Sequence, residues 1–192
     1  MKHNLNNILQ TGTDLFQKKG YTGTGTDEIL KSGNYPRSSF YYHFKNKEGF
    51  AIKVLERYGE NSQHFYSSIL LNKQGGNSAE RLEKFVSIIA DSSENKNFES
   101  ECLIQKFATE CAGINTNLKD TTKVQLDKLL SITSECIQQG QNEGFFHKKA
   151  TSIDLAKKFQ AILYGSFIQA RLNNSADIMI QLLNDEIQKL KA

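Results

Sequence analysis

The sequence predicts an all-α protein with an N-terminal three-helix helix-turn-helix head and a C-terminal helical-bundle body. Only one proline, Pro36, occurs in 192 residues, and proline is the residue that interrupts helices most strongly. Apolar residues recur at helical spacing along most of the chain, with no alternating pattern that would indicate strands. Residues 24–48 combine two short helices, a tight turn and clustered hydroxyl and aromatic side chains. This layout is typical of a helix-turn-helix.

The first helix of the head is predicted over residues 4–19. Its apolar residues share one helical face: Leu5, Ile8, Leu9, Leu15 and Phe16. Lys18 and Lys19 precede Gly20. Cations near the last carbonyls followed by a left-handed glycine are typical of a helix C-terminus.

Two short helices and the start of a long one follow. Thr24 and Asp27 have the spacing of a capping box, which predicts that a second helix begins there and ends at Gly33. Pro36 suits the first turn of a third helix, where its missing N–H costs nothing. Asn46 is placed to cap a fourth helix that runs from Lys47 to about Leu71.

The body begins after the most evident break, residues 73–78, with the sequence KQGGNS. Five further helices are predicted, over residues 78–93, 99–112, 118–142, 152–173 and 176–191. Thr151 and Asp154 have the spacing of another capping box, at the start of the fourth of these. We therefore expect a head over residues 1–46 and a body over residues 47–192.

Composition and charge exclude several classes of protein. The first 60 residues hold nine Lys and Arg against six Asp and Glu, and the remainder holds equal numbers of each. The net charge of +3 therefore lies in the head, which indicates a polyanionic partner. Apolar runs are too short to span a bilayer, and the N-terminus does not resemble a signal peptide, so we expect a cytoplasmic protein with no membrane partner.

The three cysteines, Cys102, Cys111 and Cys136, have no CxxC or metal-ligand spacing, which favours free thiols in a reducing compartment. The four histidines, at positions 3, 43, 64 and 147, are too scattered for a metal site. Gly20–Gly25 is glycine-rich but fits neither phosphate-loop pattern, and no strand precedes it. No catalytic constellation stands out. We expect no cofactor and no enzymatic activity.

The side chains of the helix-turn-helix suit contacts with double-stranded DNA. Hydroxyl groups can donate to phosphate oxygens, His43 and Lys47 can add positive charge, and Arg37 can reach guanine O6 and N7 in the major groove. Phe40 and Phe44 are expected in the core. The predicted DNA-binding residues are Thr24, Thr26, Pro36, Arg37, Ser38, Ser39, Tyr41, Tyr42, His43 and Lys47.

The head resembles the TetR/AcrR family of bacterial one-component repressors. Thr24 and Thr26 stand where the family starts its second helix, and Ile29 is at its core position. Ser39-Phe-Tyr-Tyr-His-Phe44 stands for the family's Thr-Leu-Tyr-x-His-Phe, and Lys47-Glu48 follows without a gap. Gly33-Asn-Tyr-Pro-Arg-Ser38 departs from Ala-Gly-Val-Ser-Lys-Gly. The resemblance implies a DNA-binding repressor with a ligand-binding and dimerisation body.

A narrower resemblance is to the NemR-like branch of this family, whose members sense electrophiles or oxidants through a cysteine. Ser100-Glu-Cys-Leu103 is similar to that branch's Ser-Gly-Cys-Leu, which places the sensor at Cys102. A helix N-terminus there favours a thiolate, whereas Glu101, in place of Gly, raises a thiol pKa. The alternative is that Cys102 is a small buried side chain. Cys111 and Cys136 are expected to fill the core.

The body is expected to form a homodimer, because two heads on an inverted repeat need a two-fold axis. The long helices over 118–142 and 152–173 are the candidate interface, with Leu155, Phe159, Ile162, Leu163, Phe167 and Ile168 as an apolar surface that can equally face the chain's own core.

The effector is expected to be a small molecule or an electrophile. The alternative to Cys102 is a non-covalent ligand in an apolar pocket lined by Phe85, Ile89, Phe98, Phe107, Ile132, Phe159 and Tyr164. A helical adaptor protein is a further alternative, although it does not explain the donors clustered over residues 36–47.

Overall fold

The computed structural model describes residues 5–99 and 102–192. Within these residues it contains nine α-helices and no strand, which confirms the predicted all-α class. The helices are α1 Leu5–Lys19, α2 Thr26–Ser32, α3 Arg37–Phe44, α4 Lys47–Leu70, α5 Ser78–Asn95, α6 Leu103–Cys111, α7 Thr116–Glu143, α8 Ser152–Asn173 and α9 Asp177–Leu190.

Most helix ends lie close to where local signals in the sequence predicted them. Gly20 has a left-handed φ of 76° after α1, as a C-terminal glycine should. The Asn46 side chain accepts the N–H of Gly49 at 2.8 Å, which confirms it as the cap of α4. Thr151 caps α8 by accepting the N–H of Asp154 at 3.3 Å. The break before α5 also contains a capping box, between Asn77 and Glu80, that was not among the predicted caps.

The start of α6 was predicted wrongly. A helix was expected from residue 99, but α6 begins at Leu103. Asn97 and Phe98 have φ values of 49° and 56°, which interrupt the helical path after α5. The N–H of Glu99 donates to the carbonyl of Lys96 in this turn. Residues 100 and 101, and residue 4 of the predicted first helix, lie outside the described residues.

The helices divide into two compact units. Unit 1 holds the described residues up to Asn61 and those from Cys102 to Leu126, so that it contains α1, α2, α3 and α6. The helix α6 thus packs with the head, although it follows the predicted boundary at residue 46. The core of unit 1 combines aromatic and aliphatic side chains and includes Phe16, Phe40, Phe44, Phe50, Phe107 and Cys111.

Unit 2 holds residues 62–99 and 127–192. In it α9 packs against both α5 and α8. Phe146 forms an isolated antiparallel bridge with Lys191, which fixes the turn after α7 against the C-terminus. Phe85 lies near Tyr66, with ring centroids 4.6 Å apart, and near Phe159, at 6.5 Å.

The apolar surface predicted on α8 faces two ways. Leu155, Phe159 and Leu163 are buried in unit 2, so for these three residues the structure supports the alternative that they face the chain's own core. Ile162 and Phe167 are half-buried, and Ile168 is exposed. The exposed residues of α8 include Ala161, Gly165, Ile168 and Leu172.

Candidate nucleic-acid interface

The turn between α2 and α3 is built from residues that differ from the pattern of the family that the sequence resembles. Asn34 has a left-handed φ of 44°, a conformation that asparagine tolerates better than most residues with a Cβ. Tyr35 is buried, and its N–H donates to the carbonyl of Leu30 at 3.0 Å. Pro36 lies just before α3 as its N-cap, not inside the first turn as predicted. The turn is therefore tight and fixed.

The helix α3 has one buried aromatic side and one exposed polar side. Phe40 and Phe44 pack on Phe50 of α4, with ring centroids 5.2 and 4.9 Å from it. Tyr42 is 83% exposed and Tyr41 42% exposed. Exposed donors at these and neighbouring positions form a continuous surface, which we call the α3 face: Arg37, Ser38, Tyr41, Tyr42 and His43. Ser39 is half-buried beside it.

Arg37 forms an ion pair with Asp27. The pair joins the start of α3 to the first turn of α2. Both side chains remain more than half exposed, at 59% and 80%. An exposed ion pair contributes at most about 1 kcal/mol, so the guanidinium is available to a stronger acceptor such as a base edge or a phosphate.

Thr24 is buried and lies outside the α3 face, and the capping box predicted for it was wrong. Its side chain is fully buried, and its hydroxyl donates to the carbonyl of Gly20 at 2.7 Å. The N-cap of α2 is Gly25, which lacks a side chain to bond the helix. Thr24 lies one residue before the cap, so its hydroxyl closes the preceding turn instead. Thr26, the first residue of α2, is half-buried.

Lys47 and Glu48 are both engaged within unit 1. The Lys47 ammonium lies over the ring of Tyr21, 4.2 Å from the centroid. Burial lowers the pKa of Lys47, and Glu110 opposes that shift. The Glu48 carboxylate accepts hydrogen bonds from the side-chain amides of Asn117 at 2.7 Å and Asn115 at 2.9 Å. Those bonds lower the pKa of Glu48. The pair fixes the start of α4, directly after α3.

Lys45 was not predicted as a site residue, but it extends the α3 face. It follows Phe44 and has an exposed side chain. Its φ of 65° turns the chain away from the helix while its N–H still bonds the carbonyl of Tyr41 at 3.0 Å. Its position in the sequence, directly after a predicted recognition helix, is the signal that indicates such a role.

Comparison with known families identifies the chain. The model of the tetR family of bacterial regulatory proteins matches residues 8–54. The model of the tetracyclin repressor-like C-terminal domain matches residues 78–184. The chain belongs to the tetR family. Members of this family are transcriptional regulators, not enzymes.

Two curated relatives of this tetR-family chain are similar along most of their length. The HTH-type transcriptional repressor NemR of Escherichia coli K12 is 24% identical over 168 residues, which are 88% of this chain and 84% of that protein. The HTH-type transcriptional repressor DhaR of Mycobacterium sp. strain GP1 is 23% identical and covers 92% of this chain and 86% of its own.

Solved structures share the fold at low sequence identity. A regulatory protein TetR from Rhodobacter sphaeroides has a TM-score of 0.89 at 21% identity, covering 96% of this chain and 97% of that one. The reduced form of E. coli NemR has a TM-score of 0.84 at 22% identity, covering 97% and 96%. These likenesses show that the fold is shared over 96–97% of this chain.

The three thiols of this tetR-family protein have different surroundings. Cys102 is half-buried at the N-cap of α6, where its carbonyl accepts the N–H of Lys106 at 3.0 Å. Cys111 and Cys136 are fully buried, and burial raises the pKa of each thiol to about 11. None of the three forms a disulfide. Glu101, which was expected to influence Cys102, lies outside the described residues.

The seven residues predicted to line an apolar pocket belong to both units. Phe107 packs in the core of unit 1, where the centroid of its ring lies 5.4 Å from that of Phe16. Phe85 and Phe159 fill the core of unit 2. Ile89 is buried, whereas Phe98, Ile132 and Tyr164 are half-buried.

Two clefts in unit 2 are lined by other side chains. One has a volume of about 460 Å³ and lies between the start of α5 and the C-terminus, beside Glu80, Glu83 and Lys191. The other has a volume of about 360 Å³ and lies between α5 and α9, beside Val86, Ile180 and Asn184.

Among residues 5–99 and 102–192, no group of three or more His, Cys, Asp or Glu side chains is arranged to hold a metal ion. His3 lies outside the described residues. None of the described helices is long and apolar enough to cross a membrane.

Proposed function

We propose that this tetR-family regulator is a homodimeric repressor that binds an inverted repeat in double-stranded DNA through the α3 face. A small-molecule or electrophilic effector then releases it. The observation that carries the proposal is the α3 face itself, a continuous exposed surface of donors above a buried aromatic side. Tyr42 is 83% exposed, and a tyrosine hydroxyl at that place can donate to a phosphate.

In this proposal α3 enters the major groove. Arg37 exchanges its ion pair with Asp27 for a guanine, because a bidentate contact to O6 and N7 exceeds an exposed ion pair in strength. The DNA phosphate backbone on either side of the groove is contacted by Ser38, Tyr41, Tyr42 and His43. The half-buried Thr26 and Ser39 add contacts to the same backbone. Lys45 adds a positive charge at the end of α3.

The dimer is proposed to form through α8. Ala161, Gly165, Ile168 and Leu172 recur at spacings of four and three residues on its exposed side, the side opposite the buried Phe159 and Leu163. Leu172 is 73% exposed, and a Cβ added to Gly165 would meet no atom within 4 Å. Small and apolar side chains in line suit close packing against a second copy of the same helix.

Release of DNA is proposed to involve Cys102. It is the one thiol of the three that is not fully buried, and the similar NemR is a repressor known in a reduced form. The second candidate is a non-covalent ligand held in the body, residues 47–192, near Phe85, Ile89, Phe98, Ile132, Phe159 or Tyr164. The two clefts in unit 2 favour a binding role for this part of the chain. Both candidates describe a cytoplasmic regulator.

A gel shift with the DNA upstream of the protein's own gene tests the proposal. The expected result is a shift whose affinity falls steeply with salt and that requires both halves of an inverted repeat. Scrambling one half should reduce affinity strongly, because a dimer then engages only one head. A shift independent of salt, or none with any genomic fragment, would contradict DNA binding and favour the adaptor alternative.

A further inference from the structure

Two charged side chains of α6 form hydrogen bonds with the backbone at the end of α1 and directly after it. Lys106 and Glu110 are four residues apart and therefore share one face of the helix. The Lys106 ammonium donates to the carbonyl of Gln17 at 2.7 Å. The Glu110 carboxylate accepts the backbone N–H of Tyr21 at 2.9 Å and that of Thr22 at 2.6 Å. Together they hold the end of α1 and the residues that follow it.

The fit around Glu110 is close. Each carboxylate oxygen takes one of the two N–H groups, and a Cβ added to Gly20 would lie 2.5 Å from Oε2. Only glycine leaves room for the carboxylate there, and Gly20 also has the left-handed φ that favours glycine. Burial alone raises the pKa of Glu110, but hydrogen bonds from Thr22 and Tyr21 and the charge of Lys106 outweigh it, so the pKa falls below its usual value.

The stretch that Glu110 holds contacts both ends of the helix-turn-helix. It leads directly to α2, which begins at Thr26. The Tyr21 ring packs on Phe107 of α6, with centroids 5.8 Å apart, and carries the Lys47 ammonium at the start of α4. One segment, residues 20–22, therefore links α6 to the residues before α2 and to those after α3.

We infer that Glu110 is a positioning residue for operator recognition, which fixes the helix-turn-helix through the Tyr21 and Thr22 amides without contacting DNA. This inference rests on the proposed DNA-binding function. Charge-assisted hydrogen bonds are about twice as strong as neutral ones, so their loss frees the connection between α1 and α2. The orientation that binds DNA is then populated less often, and the operator Kd rises in inverse proportion to that population.

The test compares operator binding by wild type, Glu110→Ala, Glu110→Gln and Thr109→Ala, each as the full chain. Glu110→Ala should weaken binding roughly tenfold or more, the equivalent of one charge-assisted hydrogen bond. Glu110→Gln keeps one acceptor oxygen, so its operator affinity should lie between those of wild type and Glu110→Ala. Thr109 is the matched control, because its hydroxyl bonds only carbonyls of its own helix, and Thr109→Ala should bind as wild type does.

A second measurement separates positioning from stability. In a wild-type pH titration followed by NMR, the amide protons of Tyr21 and Thr22 should shift as the Glu110 carboxyl ionises. In Glu110→Gln those shifts should be absent. Thermal melts establish that each variant is fully folded at the temperature of the binding assay.

Unchanged operator affinity in folded Glu110→Ala would overturn the inference. So would a loss of affinity that merely follows the fraction of unfolded protein, or wild-type amides that do not follow a carboxyl titration. Failure of the wild type to bind any operator would be a different result, since it overturns the proposed function and this inference with it.

Discussion

The ammonium group of Lys47 lies 4.2 Å from the centroid of the Tyr21 ring. Tyr21 precedes the helix-turn-helix and Lys47 follows it, so the contact joins the residues on either side of the helix-turn-helix. The lysine was predicted from the sequence as a phosphate contact. In the structure it has an intramolecular partner, and a role in DNA binding has to be separated from a role in stability.

Lys47→Ala and Lys45→Ala together make that separation. Lys47→Ala should lower the free energy of unfolding by about 0.5–1 kcal/mol, the contribution of a cation–π contact. Lys45→Ala should leave it unchanged, because its side chain is exposed. Each variant should reduce the slope of log Kd against log salt by about 1 if its lysine meets a phosphate. An unchanged slope removes that lysine from the DNA contacts.

Arg37→Ala should reduce discrimination at one base pair by about 1–3 kcal/mol, because the guanidinium is proposed to read guanine. Asp27→Ala is the matched variant. It removes the carboxylate that now pairs with Arg37, and it should bind the operator at least as tightly as wild type. Binding measured on operators substituted at each position checks both. A uniform loss over all sequences with Arg37→Ala would make it a phosphate contact.

Thr24→Val should destabilise the protein by about 1–2 kcal/mol, since it leaves the buried carbonyl of Gly20 without its hydroxyl donor. The salt slope of DNA binding should stay the same. Thr26→Val tests the neighbouring hydroxyl, which is only half-buried. If Thr24→Val instead reduced the salt slope at unchanged stability, Thr24 would be a phosphate contact, as predicted from the sequence.

The native protein at neutral pH should react with one equivalent of N-ethylmaleimide, at Cys102. Cys111 and Cys136 are fully buried, and a pKa of about 11 keeps both thiols protonated. Mass spectrometry should find one label on folded protein and three after denaturation. The labelled protein should no longer bind its operator. Cys102→Ser should bind the operator normally and should not be released by N-ethylmaleimide. Equal release of Cys102→Ser would make Cys102 structural and favour the non-covalent ligand.

Leu172→Glu should convert the dimer to a monomer, because a two-fold interface would bring two unpaired carboxylates together. Sedimentation should detect a rise in the dimer Kd of at least about tenfold, and operator affinity should fall with it. Ile114→Glu is the control, an equally exposed apolar residue at 68% in the turn before α7. A dimer that tolerates Leu172→Glu would exclude this end of α8 from the interface.

The sequence by itself determined the helices and most of their ends. Helical periodicity, caps such as Asn46 and Thr151, and the glycine after α1 act over four residues or fewer, so they are readable without a fold. The family resemblance is carried by one continuous segment, residues 24–48, so it is also readable without a fold. It was sufficient to predict a DNA-binding regulator and most of the α3 face.

The tertiary structure alone decided which of those side chains are available. Thr24 is buried and Lys47 is turned onto Tyr21 because of neighbours that periodicity does not reveal. The bonds from Glu110 to Tyr21 and Thr22 join residues 89 and 88 positions apart. Contacts at such separation depend on how whole helices pack, and a hydroxyl or a charge bonds whichever partner that packing brings within reach.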